Sequence, residues 1–245
     1  MSDEPIPAAT LVLVRDRAAG PPELLMVERA AGMAFAGGAL VFPGGRIDAA
    51  DHVAAGNFAD GAARVAAIRE TIEETAIPVA LTPLPSVEQA LAMQAALVAD
   101  RPFEEVRGYD QTLVLEALTP LARWLPNFHV TRRFDTLFYV ARAPDGEWQP
   151  NVIAGECSGA GWLTAAEALE RERRGAARLI FPTRRNLERL AQHDSFTAIR
   201  ADALAHPIEP VTPWVEEHGG ERFITIPGHL GYPVTREKLD GLWRG

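Results

Sequence analysis

The chain has 245 residues and a mass of 26.6 kDa, enough to bury a sizeable core and short for two full domains. With 47% apolar and 23% charged residues it fits neither a disordered chain nor a fibrous repeat. Its 24 Lys+Arg against 33 Asp+Glu give a formal charge of -9, a field that repels polyanions and argues against nucleic-acid or anionic-membrane binding.

Cys157 is the single cysteine, so no internal disulfide or CxxC metal site can form. The first residues are acidic where a secretory signal carries basic ones, and no apolar run approaches the length of a membrane span. The expectation is a cytoplasmic protein with no membrane association.

Residues 8–14 form an apolar run closed by Arg15 and Asp16. After the break at Pro21-Pro22, residues 24–27 read as a second strand, and the two together predict a hairpin. A glycine-rich stretch follows, from Gly32 through Gly37-Gly38 to Phe42-Pro43-Gly44-Gly45. Content and period predict a helix over residues 60–76, stopped by Pro78. Residues 86–106 read as one further helix with Ser86 at its N-cap, inserted at about 84–108 and a candidate dimer surface or substrate lid.

Residues 133–141 are the most strand-like of all, and residues 161–163 predict another short strand. Thr164 followed by Glu167 is a capping-box signature for a helix at about 164–174, with another at about 183–193. The proline-rich tail after His206 is expected to be mostly extended. Interleaved strands and helices without a repeat or a low-complexity linker predict one α/β or α+β domain, its core at about 6–175 and its helices and tail at about 176–245.

The chemistry concentrates on residues 67–77. At about 100° per residue, Glu70, Glu73 and Glu74 share an arc of roughly 100°, with Val65, Ile68 and Ile72 on the opposite side. Like charges at this spacing oppose each other, and Arg69 stands four residues before Glu73, where it can pair with it and leave Glu70 and Glu74 facing a common point. A hard divalent cation such as Mg2+ suits such oxygens, and Gly44-Gly45 upstream offers backbone carbonyls to complete its shell. The bland alternative is a solvated acidic helix face.

The order Gly45, Arg69-Glu70-x-x-Glu73-Glu74 and Ile77 resembles the box of the Nudix hydrolases, G-x5-E-x7-R-E-U-x-E-E-x-G-U with U aliphatic. Asp51 stands where the pattern has its first Glu, an insertion of about ten residues separates it from Arg69, and Thr71 and Ala76 replace an aliphatic residue and a Gly. Asp51 is assigned no role. The resemblance implies a mixed sheet between helices and Mg2+- or Mn2+-dependent hydrolysis of a nucleoside-linked diphosphate. It further implies metal ligation by Glu70, Glu73, Glu74 and the Gly45 carbonyl, catalysis by Glu70, Glu74 or Glu156, and support of the cluster by Arg69.

Residues 25–30, with Gly38 and Phe42-Pro43-Gly44-Gly45, resemble a signature of the coenzyme A diphosphatases, a branch that includes members with an interrupted box. Met26 and Val27 replace its second Leu and Thr, and Ala34 replaces its second Arg. Within that resemblance Arg29 is a substrate-binding candidate. Arg133, beside Arg132, is a candidate phosphate contact or a partner of surface acids. Trp124 and Phe128 are candidates for stacking on substrate or for core packing. The implied partner is a small nucleoside diphosphate derivative: coenzyme A or its acyl forms, or else NADH or ADP-ribose. A regulatory module that binds a nucleotide without cleaving it is the alternative, and a homodimer is compatible with either.

Overall fold

Strand β1 (Ile6–Arg15) is buried from Ala8 to Val14 apart from a half-buried Thr10, as a strand covered on both faces must be. Its alternation decides the architecture: Leu11 and Leu13 enter one apolar core, Val12 and Val14 another on the opposite face. The computed structural model describes residues 4–33, 36–126, 133–155 and 157–239.

The next elements are β2 (Glu23–Arg29), β3 (Leu40–Val41), β4 (Gly44–Arg46), α1 (Ala49–Ala55) and α2 (Gly61–Thr75). The chain continues through β5 (Leu81–Thr82), α3 (Val87–Val98), α4 (Phe103–Val106), β6 (Thr112–Leu113), β7 (Thr119–Trp124) and β8 (Phe134–Arg142). Then come β9 (Cys157–Thr164), α5 (Ala165–Arg173), α6 (Phe181–Leu190) and α7 (Phe196–Ala205). The last strands are β10 (Pro210–Val211), β11 (Trp214–His218), β12 (Glu221–Thr225) and β13 (Arg236–Lys238).

Among the described residues, an 8-stranded mixed sheet runs β10-β7-β8-β1-β2-β3, with β4 on β1 and β9 on β2. Ala63, Val65, Ile68 and Ile72 of α2, backed by α3, cover one face. Leu187 and Leu190 of α6 and Ile199 and Ala203 of α7 cover the other. The mixed sheet between helices expected from the sequence is therefore present.

The predicted hairpin forms only at its turn. β1 and β2 pair at Val14↔Leu24 and Arg15↔Glu23, then separate, β1 running parallel to β8 and β2 antiparallel to β9. The space opened between them admits β4, which pairs Ala8, Ala9 and Thr10 with Arg46, Gly45 and Gly44.

Residues 86–106 are not one helix. Ser86 caps α3 as expected, by a reciprocal box with Gln89, but Asp100 turns left-handed at φ 57° and Pro102 opens the separate α4. Before the tail, Ser195 caps α7, a helix not expected from the sequence, and the tail departs from a merely extended form in that β11-β12-β13 make a small antiparallel sheet. Thr164 and Glu167 do form their capping box at the start of α5. No helix among the described residues is long and apolar enough to cross a membrane.

Candidate active site

Helix α2 begins without a side-chain cap and ends in a left-handed C-cap. Asp60 is left-handed with φ 50° and caps no amide with its side chain. Its carboxylate instead pairs with Arg64 at 3.1 Å and accepts the Tyr139 hydroxyl at 2.9 Å. Burial and the Asp60 charge push the Tyr139 hydroxyl well above its ordinary pKa, so it remains a donor. At the other end Ala76 is left-handed with φ 57° and donates its amide to Ile72 O. That geometry favours glycine, which is why a Gly at this position suits the Nudix pattern.

The i,i+4 spacing directs Glu70 and Glu74 toward β4. Gly44 donates its amide to Glu74 Oε2 at 3.2 Å, and Arg29 Nη1 lies 3.8 Å from Glu74 Oε1. Glu74 is buried; Glu70 and Glu73 are half-buried. Glu70 lies so close to Gly45 that a Cβ there would stand 2.4 Å from its Oε1. At Gly44 a Cβ would meet the β1 backbone, 2.5 Å from Ala9 O. The two glycines thus have separate reasons: one admits β4 beside β1, the other admits a carboxylate.

Arg69 does pair with Glu73, at 3.5 Å, yet its shorter contacts lie elsewhere. Nη1 donates to Glu70 Oε1 at 2.8 Å, while Nε and Nη2 donate to the two carboxylate oxygens of Asp51 at 3.1 and 3.0 Å. Nη2 also donates to Arg46 O at 3.0 Å. Arg69 therefore holds Glu70 more closely than Glu73, the partner expected from the sequence. Burial alone would lower the Arg69 pKa, but the hydrogen bonds it donates to Asp51 and the charges of Glu70 and Asp51 raise it above the ordinary value.

Asp51, to which the sequence assigns no role, is 1% exposed and anchors this arrangement. It occupies the third position of α1, where its Oδ2 accepts the Asp48 amide at 2.8 Å. The pattern Asp48-x-x-Asp51 was the available signal, a capping box written with two aspartates. The inserted residues fold into α1 and return Asp51 to Arg69.

Other candidates fall in several places. Arg29 ends β2, where it pairs in register with Cys157, and it joins Glu74. Arg133 stands at the start of β8, its carbonyl accepting the Ile6 amide at 2.8 Å, at the N-terminal end of β1. Trp124 belongs to the core, donating to Tyr232 Oη at 2.9 Å and meeting Phe181 edge to face at 5.8 Å. Glu156, Arg132, Phe128 and Ala34 lie outside the described residues.

Among the described residues, no three His, Cys, Asp or Glu side chains are grouped as a cation cage. The donor set of Glu70, Glu73, Glu74 and the Gly45 carbonyl consists of hard oxygens, chemically suited to Mg2+ or Mn2+. In this structure those carboxylates are drawn instead to Arg69, Arg29 and the Gly44 amide.

A mixed sheet between helical layers carries an Arg-Glu-x-x-Glu-Glu helix laid on a Gly-Gly strand. The structure is similar to that of a NUDIX hydrolase from Alicyclobacillus acidocaldarius, at 27% identity and a TM-score of 0.69 over 81% of this chain and 97% of that one. A MutT NUDIX hydrolase from Burkholderia pseudomallei aligns at 18% identity and a TM-score of 0.44, over 76% and 98% of the two chains. The NUDIX domain of Shewanella oneidensis NrtR, complexed with ADP ribose, aligns at 15% identity and 0.48, over 78% and 88%. No protein-family model and no curated protein matches the sequence. The chain has the Nudix fold.

Proposed function

We propose that the chain cleaves the diphosphate linkage of a nucleoside diphosphate derivative, with coenzyme A or an acyl-coenzyme A as substrate and Mg2+ or Mn2+ as cofactor. The observation that carries this reading is the seating of Glu70 against Gly45, held there by Arg69. Glu70, Glu73, Glu74 and the Gly45 carbonyl would hold the cation. Once bound, it neutralises diphosphate charge and makes water a better nucleophile at neutral pH.

The remaining roles belong to the chain. Arg69 orients Glu70 and is itself locked by Asp51. Glu70, Glu74 or Glu156 takes the proton from the attacking water. Arg29, held beside Glu74, and Arg133 are the proposed phosphate contacts, since a guanidinium offers several donors in fork geometry. The segment from Leu25 to Gly45 supports the coenzyme A assignment, and the net charge of -9 supports a small ligand over a nucleic acid. The same reading makes the protein cytoplasmic.

The test is hydrolysis of a panel of coenzyme A, NADH, ADP-ribose and diadenosine compounds with Mg2+ or Mn2+. Release of 3',5'-ADP and 4'-phosphopantetheine is expected. Cleavage of NADH alone rejects the substrate, and tight binding without turnover favours the regulatory alternative. Glu74→Gln is expected to abolish cleavage while the protein stays folded; parental activity would remove Glu74 from the mechanism.

A further inference from the structure

Gln94 of α3 is fully buried, on a face otherwise made of Ala90, Met93 and Leu97. A leucine would fill that position with no polar group to satisfy, so packing alone does not explain the amide. Its hydrogen bonds do. Nε2 donates to Glu73 O at 3.0 Å and to Asn151 O at 2.8 Å, while Oε1 accepts from Asn151 Nδ2 at 2.6 Å. Asn151 then donates its own amide to Thr75 O at 2.8 Å.

The last turn of a helix leaves its carbonyls without partners inside the helix. Here the carbonyls on both sides of Glu74, those of Glu73 and Thr75, are taken by this two-residue clamp. The side chain that departs between them is the one reaching Gly44 and Arg29. Asn151 also stands in the segment joining β8 to β9, so one amide pair ties that segment to the carboxylate helix.

We infer that Gln94 and Asn151 are positioning residues that fix the last turn of α2, and with it Glu73 and Glu74, for work on a metal–diphosphate complex. The inference rests on the function proposed above. It extends that function to α3, otherwise a mere helical insertion, which becomes the back support of the site.

The experiment compares the full-length protein with Gln94→Leu and Asn151→Asp. Three quantities are read: Mn2+ affinity by electron paramagnetic resonance without substrate, kcat and KM on whichever panel compound is cleaved, and folding by circular dichroism. Loss of a supporting contact behind metal ligands is expected to weaken Mn2+ binding and kcat by about 10- to 100-fold, with KM for the diphosphate compound little changed. A folded Gln94→Leu protein with parental Mn2+ affinity and kcat would overturn the inference. Should that variant fail to fold, Asn151→Asp decides in the same way, because it keeps the main-chain bond to Thr75 and sets a carboxylate acceptor in place of the donor to Gln94. If the unmodified protein neither binds Mn2+ nor cleaves any panel compound, the reading of the site fails and the clamp's role falls with it.

Discussion

The Glu70 carboxylate fills the space that a side chain at Gly45 would need: a Cβ there would lie 2.4 Å from Oε1 and 2.5 Å from Cδ. The obstacle is the far end of a flexible side chain, so Gly45→Ala should displace Glu70 and spare the backbone. The expected result is a stability loss of about 1 kcal/mol and a fall in kcat of about 100-fold. Gly44→Ala is the contrasting variant, since its Cβ would meet Ala9 O at 2.5 Å and Thr10 Cα at 2.7 Å. Backbone cannot swing aside, and a loss of about 3 kcal/mol is expected there. Urea unfolding with kcat measured on both proteins checks the pair; equal losses of stability would contradict the distinction.

Asp51 and Arg69 form a buried pair whose partners come from different helices. Asp51→Ala removes the acceptor for both Nε and Nη2 of Arg69, together with the cap on the Asp48 amide. Stranding one member of a buried ion pair costs about 3–5 kcal/mol, and the remaining contacts of Arg69 with Glu70 and Glu73 place the expected loss near the lower bound. Activity per folded molecule should also fall, because Arg69 would no longer hold Glu70 in one orientation. An unchanged urea midpoint would show that α1 does not support the site.

The parts of this site that a reader of the sequence can recover are those set by local periodicity. Helix α2 is visible in its apolar stripe, and Glu70 and Glu74 share a side because four residues make slightly more than a turn. The Arg69–Asp51 pair is not visible that way, since its members stand 18 positions apart on two different helices and only the tertiary fold closes the gap. Gln94 is harder still: in sequence it is one good helix former among others, and its meaning depends on carbonyls of another element. The predicted β1/β2 hairpin fails for a related reason. Each strand finds a longer register elsewhere, β1 with β8 and β2 with β9, and such pairings carry no short-range signal.

The capping box of α5 gives a pH-dependent contribution with a definite sign. Glu167 Oε2 accepts the Thr164 amide at 2.8 Å and its hydroxyl at 2.9 Å, and these bonds, the amide foremost, hold the Glu167 carboxyl below its ordinary range. A folded-state pKa below the unfolded one means stability that is fully present above the usual glutamate value of about 4.3 and lost as pH falls through the lower folded value. The group is solvent-exposed, so the contribution should be below about 1 kcal/mol. Glu167→Gln should therefore flatten the acid limb of stability between about pH 3 and 5, with its loss of below about 1 kcal/mol seen at pH 7 and little change at the acid end. Urea unfolding across that range decides the matter; an acid limb as steep as the parent's would locate the titration elsewhere.

Arg189 anchors the far face of the sheet. It is 1% exposed, pairs with Asp202 Oδ2 at 2.7 Å, donates to Leu121 O at 3.0 Å and lies over the Tyr232 ring at 5.6 Å. Tyr232 in turn accepts from Trp124 Nε1 at 2.9 Å and donates to Asn186 Oδ1 at 3.0 Å, so α6, α7, β7 and the chain before β13 meet at one buried network. Asp202→Ala leaves the guanidinium charged and buried, and a loss of about 3–5 kcal/mol is expected. Tyr232→Phe removes one hydroxyl and strands two buried partners, for about 1–3 kcal/mol. Because the two residues share Arg189, their effects should not add, and a double-mutant cycle should return a coupling of about 0.5 kcal/mol or more. This network belongs to the sheet face opposite α2, so the folded fraction of either variant should retain the parental kcat. A fall in kcat at full folding would mean that the two faces of the sheet communicate, and simple additivity would mean that Arg189 does not join them.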